Sequence, residues 1–332
     1  MRLSDIEILK CPNCRYSKFY PKVFRQKSEQ IVDGTIECQK CGVWYRVQSG
    51  VVDLLPLALR REDLYLNFGK RFHLSYQPFG KLNKKNSQID FFKKGFWEYE
   101  RRVVGAKYYK ALDKMMFLDW ARKNLKSGSL VLDIGAGTGR QAIPAARLGA
   151  SVIAVDISEE MLGLAYRKSL AAGVSDKITY VCADGENPPV VDNYFDACIL
   201  YGTLHHLKNP SSCLKNVANR LKAGGFVYTL DPNKSPLRGI YELLAKIWKL
   251  YEEETGEGKL LESRKLDKWL KNADIDGKIY FSTYLPPHLF HLLSKKLAFA
   301  LLKSTDFFNQ VPIIKKWGGV VVAEGAKRAN ER

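Results

Sequence analysis

The chain has 332 residues, of which 46% are hydrophobic and 12% aromatic, so it has ample material for a packed core and an intrinsically disordered protein is excluded. Its 53 basic and 35 acidic side chains leave a formal charge of +18, and no uninterrupted apolar run of about 18 residues is present, so a membrane-spanning helix is not expected. The opening string MRLSDIEILKCPNC sets Asp5 and Glu7 where a secretory signal would be apolar, which makes the expected location cytoplasmic.

Four of the seven cysteines crowd the start of the chain as two CxxC pairs. Cys11 and Cys14 stand in CPNC, Cys38 and Cys41 in CQKCG, with 23 residues between the pairs. Each short loop sets two thiolates on one side of a turn, and two such loops complete a tetrahedral zinc shell. Disulfides suit a reducing compartment poorly, and a redox CxxC leaves the second pair unexplained. About fifty residues hold little core of their own, so bound Zn2+ is expected to supply folding energy. Residues 3–56 contain these cysteines, a strand at 43–47 and the exit Gly50-Val51-Val52-Asp53-Leu54-Leu55-Pro56. The segment resembles the zinc ribbons that activate tRNA and protein methyltransferases, and those fused ahead of some ribosomal RNA guanine methyltransferases.

Charge is concentrated in the next segment. Residues 57–126 hold 17 basic and 7 acidic side chains, whereas 127–234 hold 10 of each. The basic set includes Lys70, Arg71, Lys81, Lys84, Lys85, Lys93, Lys94, Arg101 and Arg102. It is interleaved with Tyr65, Phe68, Phe72, Tyr76, Phe79, Phe91, Phe92, Phe96 and Trp97. This mixture suits a solvated helix face, a cover over a bound ligand, or a surface that stacks bases and meets phosphates. An anionic partner would be a phosphorylated substrate, RNA or a membrane surface.

From residue 129 short apolar runs alternate with helical patterns, the rhythm of a doubly wound parallel sheet. Strands are predicted at 130–134, 152–155, 178–182, 195–200 and 226–230, and helices at 140–148, 159–171 and 212–221. Ligands of such sheets bind beyond the carboxyl ends of the strands. The first strand leads into VLDIGAGTGR, where Asp133 precedes Gly135, Gly137 and Gly139. Backbone free of side chains makes the sharp turn and lets a ligand approach the main chain. The spacing is GxGxG rather than the GxGxxG that seats a dinucleotide pyrophosphate. Asp156 ends the second strand, where a carboxylate can accept both hydroxyls of a ribose, and Asp184, followed by Gly185, ends the third. Taken singly, each acid also reads as a helix N-cap.

The order of these acids and glycines resembles the class I S-adenosylmethionine-dependent methyltransferases from about residue 105 to the C-terminus. The resemblance implies that Asp133, Gly135, Ala136, Gly137 and Gly139 line the methionine part of S-adenosyl-L-methionine. Asp156 would hold its ribose and Asp184 with Gly185 border its adenine, while Ile157 and Tyr201 complete the cofactor-binding set. The strings FDACILYGTLHHL and RLKAGGFVYTLDP look most like the subgroup that methylates small molecules, lipids and quinones.

Methyl transfer from a sulfonium needs alignment, exclusion of water and, for some acceptors, removal of a proton. Tyr201, His205 and His206 stand at the exit of the fourth strand, with His206 the first candidate base and His205 the second. Adjacent histidines after a strand equally serve to cap or pack. The Asn-Pro-Pro-Tyr exit of amine methylation and the Pro-Cys nucleophile of cytosine methylation are both missing, and Cys182, Cys198 and Cys213 read as small buried hydrophobes. Past Asp231, Ile240, Leu243, Leu244, Ile247, Trp248 and Tyr251 recur at helical spacing opposite Lys246 and Lys249. Residues 287–303 are apolar with Lys295, Lys296 and Lys303 interspersed, which suits a lid helix or a greasy entrance for a lipid. Strands are predicted at 278–285 and 318–323.

The expected architecture is α/β, a Rossmann-like doubly wound, mostly parallel seven-stranded sheet over residues 105–332 with a helical insertion at about 236–312. A zinc ribbon at 1–56 and a basic, aromatic linker with lid helices at 57–104 precede it. The expected function is methylation of a small-molecule or lipid-like acceptor, possible at a membrane periphery; an RNA methyltransferase and a noncatalytic cofactor-binding scaffold are the alternatives.

Overall fold

The computed structural model describes residues 1–75, 100, 106–237, 239, 243, 259–285, 290 and 293–329. Tyr76, Phe79, Lys81, Lys84, Lys85, Phe91, Phe92, Lys93, Lys94, Phe96, Trp97, Arg101 and Arg102 lie outside the described residues, as do Ile240, Leu244, Lys246, Ile247, Trp248, Lys249 and Tyr251. In chain order the first elements are β1 (Phe19–Lys27), β2 (Gln30–Cys38), β3 (Trp44–Gln48), β4 (Val51–Asp53), α1 (Glu62–Phe72), α2 (Lys107–Leu112), α3 (Asp119–Asn124), β5 (Leu130–Ile134), α4 (Ala142–Arg147) and β6 (Ser151–Asp156). They are followed by α5 (Glu159–Ala171), β7 (Ile178–Cys182), β8 (Phe195–Tyr201), α6 (Pro210–Arg220), β9 (Leu221–Pro232), α7 (Ser263–Asn272), β10 (Ile275–Ser282), α8 (Lys295–Ser304) and β11 (Val320–Lys327). These fall into two compact units, one within Met1–Phe96 and Leu130–Tyr194, the other within Trp97–Ser129 and Phe195–Arg332.

In the first unit the strand order is β1-β2-β3-β4-β7-β6-β5. β1 to β4 form an antiparallel meander, while β4, β7, β6 and β5 run parallel. All residues of β7 are buried, the continuous apolar run of a strand covered on both faces. The ribbon is therefore no free-standing module. Val51 pairs with Tyr180, Val52 with Val181 and Asp53 with Cys182, so its last strand extends the parallel sheet. Val51, Val52, Leu54 and Leu55 are all buried at this join, which at roughly 1.5–3 kcal/mol per side chain is a substantial tether.

α1 packs back on the meander through rings. Phe72 stacks on Phe24 at 4.5 Å and 14°, Phe68 lies 6.2 Å from Phe24, and Tyr65 lies 5.2 Å from Trp44. Tyr65 and Phe68 are buried, so these two rings are committed to packing rather than offered to bases. α5 begins at Ser158, whose hydroxyl accepts from Met161 N, with Glu159 and Glu160 in the first turn opposite the positive end of the helix dipole.

In the second unit β8 and β9 are parallel and β11 runs antiparallel between β9 and β10. β10 lies inside the span expected as a helical insertion, where a strand is predicted at 278–285. It is a strand because its eight residues pair with β11 in unbroken register, from Ile275 opposite Lys327 to Ser282 opposite Val320. α2 and α3 are joined by a π-helical turn, Asp113–Leu118. It carries Phe117 to 6.3 Å from the ring of Tyr201 and 6.0 Å from that of Tyr228, which also lies 4.8 Å from Trp120. No helix among the described residues is long and apolar enough to cross a membrane.

Candidate active site

Register brings the three acids of the first unit to neighbouring strand ends. Asp133 on β5 lies opposite Ala154 on β6, Asp156 on β6 lies opposite Cys182 on β7, and Asp184 follows two residues later. The glycine loop between β5 and α4 turns through positive φ at Gly135 (72°), Gly137 (51°) and Gly139 (80°). Positive φ strains any side chain, and the loop is tight at both ends. Gly135 N and Ala136 N both donate to Val155 O, at 2.8 and 3.0 Å, and a Cβ on Gly139 would stand 3.0 Å from Ile143 Cδ1. A Cβ on Gly185 would stand 2.7 Å from Ile134 Cγ2, so β7 exits close against β5.

Asp156 ties this loop to β6. Its Oδ2 accepts from Gly137 N at 2.8 Å and its Oδ1 from Ser158 N at 2.9 Å, which leaves each oxygen a further lone pair for a ligand hydroxyl. It is not the helix cap, since Ser158 fills that role. Burial raises its pKa, against the hydrogen bonds it accepts from Ser158 N and Gly137 N. Asp184 Oδ1 accepts from Glu186 N at 3.0 Å, an Asx turn rather than a cap. Asp133 is 1% exposed and its Oδ2 has no hydrogen-bond partner. Burial, and then the neighbouring Asp156 carboxylate, push its pKa from 3.8 up to about 8.

In the second unit β8 ends at Tyr201, which is 8% exposed and built into the Phe117–Tyr228 ring cluster. A 3-10 turn, Leu204–His206, then presents the two histidines. His205 Nδ1 lies 2.8 Å from Asp231 Oδ1, and His205 N donates to the same oxygen at 3.2 Å. Asp231, at the end of β9, is fully buried with Oδ2 unbonded. Burial raises its pKa and His205 draws it down. His206 faces the opposite situation: burial, then the ring of His205 at 3.8 Å, lower its pKa to about 3. Burial thus makes the His206 imidazole a weak proton acceptor, while Asp231 holds the His205 ring in one orientation. Asp231 was not among the residues singled out from sequence. Its signal was available, since it too is an acid closing a parallel strand.

The four ribbon cysteines converge. Their sulfur atoms lie within 4.8 Å of one another, with Cys11 to Cys41 at 3.7 Å and Cys14 to Cys38 at 3.5 Å. Those separations are far beyond a disulfide and close to the roughly 3.8 Å edge of a tetrahedron with 2.3 Å zinc–sulfur bonds. Tyr45 Oη lies 3.0 Å from Cys11 Sγ, a hydrogen bond suited to a thiolate. The donor set and spacing fit zinc. Cys182, Cys198 and Cys213 are buried in the strands and helix that carry them.

Beside Tyr45, Arg46 is 1% exposed, and this residue also escaped the sequence reading. Its guanidinium forks onto both carboxylate oxygens of Glu159, in the first turn of α5, and reaches Asp53 Oδ2 at 3.3 Å and Gln48 Oε1 at 2.6 Å. The ribbon thereby grips the helix that starts three residues after Asp156.

Residues 132–229 match a family model described as a methyltransferase domain. Over 141 residues, 39% of the chain, the sequence is 29% identical to the ubiquinone/menaquinone biosynthesis C-methyltransferase of Coxiella burnetii, of which it spans 56%. It is also 29% identical over 163 residues to the ubiquinone biosynthesis O-methyltransferase of Xanthomonas axonopodis pv. citri, covering 46% of the chain and 67% of that relative. Among solved structures it is similar to the magnesium protoporphyrin IX methyltransferase of Synechocystis, with a TM-score of 0.52 and 17% identity over 74% of the chain and 100% of that structure. That likeness establishes the fold, the Rossmann-like mixed α/β arrangement of class I methyltransferases.

Proposed function

We propose that this chain is an S-adenosylmethionine-dependent methyltransferase acting on a small organic or lipid-like acceptor, with a zinc ribbon built into its cofactor-binding unit. The observation that carries this reading is the set of three acids at adjacent strand ends, with Asp156 bonded to the glycine loop at Gly137 N, inside the matched domain. S-adenosylmethionine supplies an activated methyl group on a cationic sulfonium. The residues do the rest. Asp133 gives up its proton to balance the ligand's ammonium, Asp156 accepts the ribose hydroxyls on its remaining lone pairs, and Asp184 with Gly185 borders the adenine.

In the second unit Asp231 fixes His205 with Nδ1 engaged, leaving Nε2 to receive a proton from the acceptor. Cys11, Cys14, Cys38 and Cys41 would hold zinc as a structural ion, since all four positions of the tetrahedron are filled by protein. The relatives' names, which place them in ubiquinone and menaquinone biosynthesis and on magnesium protoporphyrin IX, support a small acceptor. The RNA reading is weakened because Tyr65 and Phe68 of the aromatic segment are buried. Mass spectrometry of cell extracts incubated with the enzyme and isotopically labelled cofactor tests the proposal. A labelled small molecule or lipid is expected, and label confined to RNA would overturn it.

A further inference from the structure

The stretch 293–317 of the second unit leaves large apolar side chains in water. Leu297 is 54% exposed, Phe307 56% and Ile313 80%. α8 buries Ala298 and Leu302, one turn apart, and leaves Leu297 off that stripe. Phe307 lies in the 3-10 helix Thr305–Gln310 that follows α8 and Ile313 in the turn beyond it, a segment that closes on Tyr284. The Tyr284 ring lies 5.1 Å from that of Phe308, and its hydroxyl donates to Lys315 O at 2.8 Å. The backbone is thus pinned from inside while the neighbouring Phe307 and Ile313 point outward.

The charge carried by this stretch of sequence is one-sided. Lys295, Lys296, Lys303, Lys315 and Lys316 fall in the same stretch, and its single acid, Asp306, lines a cleft with Asp276 and Tyr280. Large apolar side chains set among lysines are the composition of a surface that enters the boundary between headgroups and acyl chains. A protein partner that covered the apolar tips would leave the lysines without a role.

We propose that this face docks on an anionic lipid bilayer, with Leu297, Phe307 and Ile313 entering the acyl boundary and the lysines meeting the headgroups. The docking stands on the exposure and charge of this stretch. Only its purpose, bringing the enzyme to a lipid-borne acceptor, rests on the methyl-transfer reading.

The test is co-sedimentation of the full chain with vesicles of phosphatidylcholine alone and of phosphatidylcholine mixed with phosphatidylglycerol. The mixed vesicles are expected to bind at least about tenfold more tightly, with binding falling as salt rises. Phe307→Ser with Ile313→Ser should weaken binding about tenfold or more, and Lys295→Gln with Lys296→Gln about tenfold, at unchanged melting temperature. Leu170→Ser, an exposed apolar residue of the first unit, should leave it unchanged. Equal binding to both vesicles, full binding by the Phe307–Ile313 variant, or displacement from vesicles by a single-stranded oligonucleotide would overturn the proposal. Asp156→Ala is expected to keep vesicle binding. Vesicle binding without any cofactor binding by the wild type would therefore overturn the methyl-transfer reading alone, and cofactor binding without vesicle binding would overturn the docking alone.

Discussion

Replacing Asp133 by asparagine should make the folded chain more stable and the cofactor site worse. Asp133 is buried with an unbonded Oδ2, and its pKa is lifted from 3.8 to about 8. The folded protein therefore keeps a proton that the unfolded chain surrenders above pH 3.8. The stability associated with that proton is whole below pH 3.8 and is lost as the pH rises through about 8. At pH 7 the unfolded carboxyl is ionised across about three pH units, a cost to folding of about 4 kcal/mol at 1.36 kcal/mol per unit. Asparagine copies the shape of the protonated acid and does not titrate. Asp133→Asn is thus expected to raise the unfolding free energy by about 2–4 kcal/mol at pH 7, by less than about 2 kcal/mol at pH 5, and by nearly nothing at pH 4. Urea unfolding of both proteins at these pH values measures the differences. Calorimetric titration with S-adenosylmethionine should show affinity weakened about tenfold or more in the variant, because no carboxylate remains for the ammonium. A gap in stability that does not grow between pH 4 and pH 7, or a variant less stable than the wild type at pH 7, would refute the reasoning.

Arg46→Met leaves the buried Asp53 and the half-buried Glu159 unpaired, so urea unfolding should show a loss of about 3–5 kcal/mol, partly recovered when Asp53→Asn is added. Failure of the second substitution to recover any stability would mean the guanidinium acts by packing alone. Asp231→Asn should lower kcat about a hundredfold with KM little changed, since it positions His205 and binds no substrate, whereas His206→Gln should cost less than about tenfold. Equal losses in the two variants would dissolve the distinction drawn between the histidines. Atomic emission should find one zinc per chain, and its removal by a chelator should lower Tm by about 10 °C; a metal-free protein with unaltered Tm would contradict the structural role.

The cofactor-binding strands were legible because fully buried parallel strands read as continuous apolar runs, and the helix predicted at 159–171 is α5 to the residue. The four cysteines were legible from spacing alone. The β1 strand was not, since in FYPKVFRQK almost every residue is exposed and no alternation marks a covered face. Nor was the join of β4 to β7, which depends on pairing between residues about 130 positions apart, beyond any local pattern. Arg46 looked like one more of many basic residues, because its partner Glu159 lies 113 residues away in sequence. The histidines were found as a pair, but their ranking turned on burial and on Asp231, which only the fold brings within 2.8 Å.

The account stands or falls most directly on calorimetric titration of S-adenosylmethionine into the wild type and Asp156→Ala. One site per chain is expected in the wild type, with affinity falling about a hundredfold or more when the carboxylate at the end of β6 is removed. Unchanged affinity in the variant, or a wild type that takes up a nicotinamide dinucleotide and not the sulfonium compound, would contradict it.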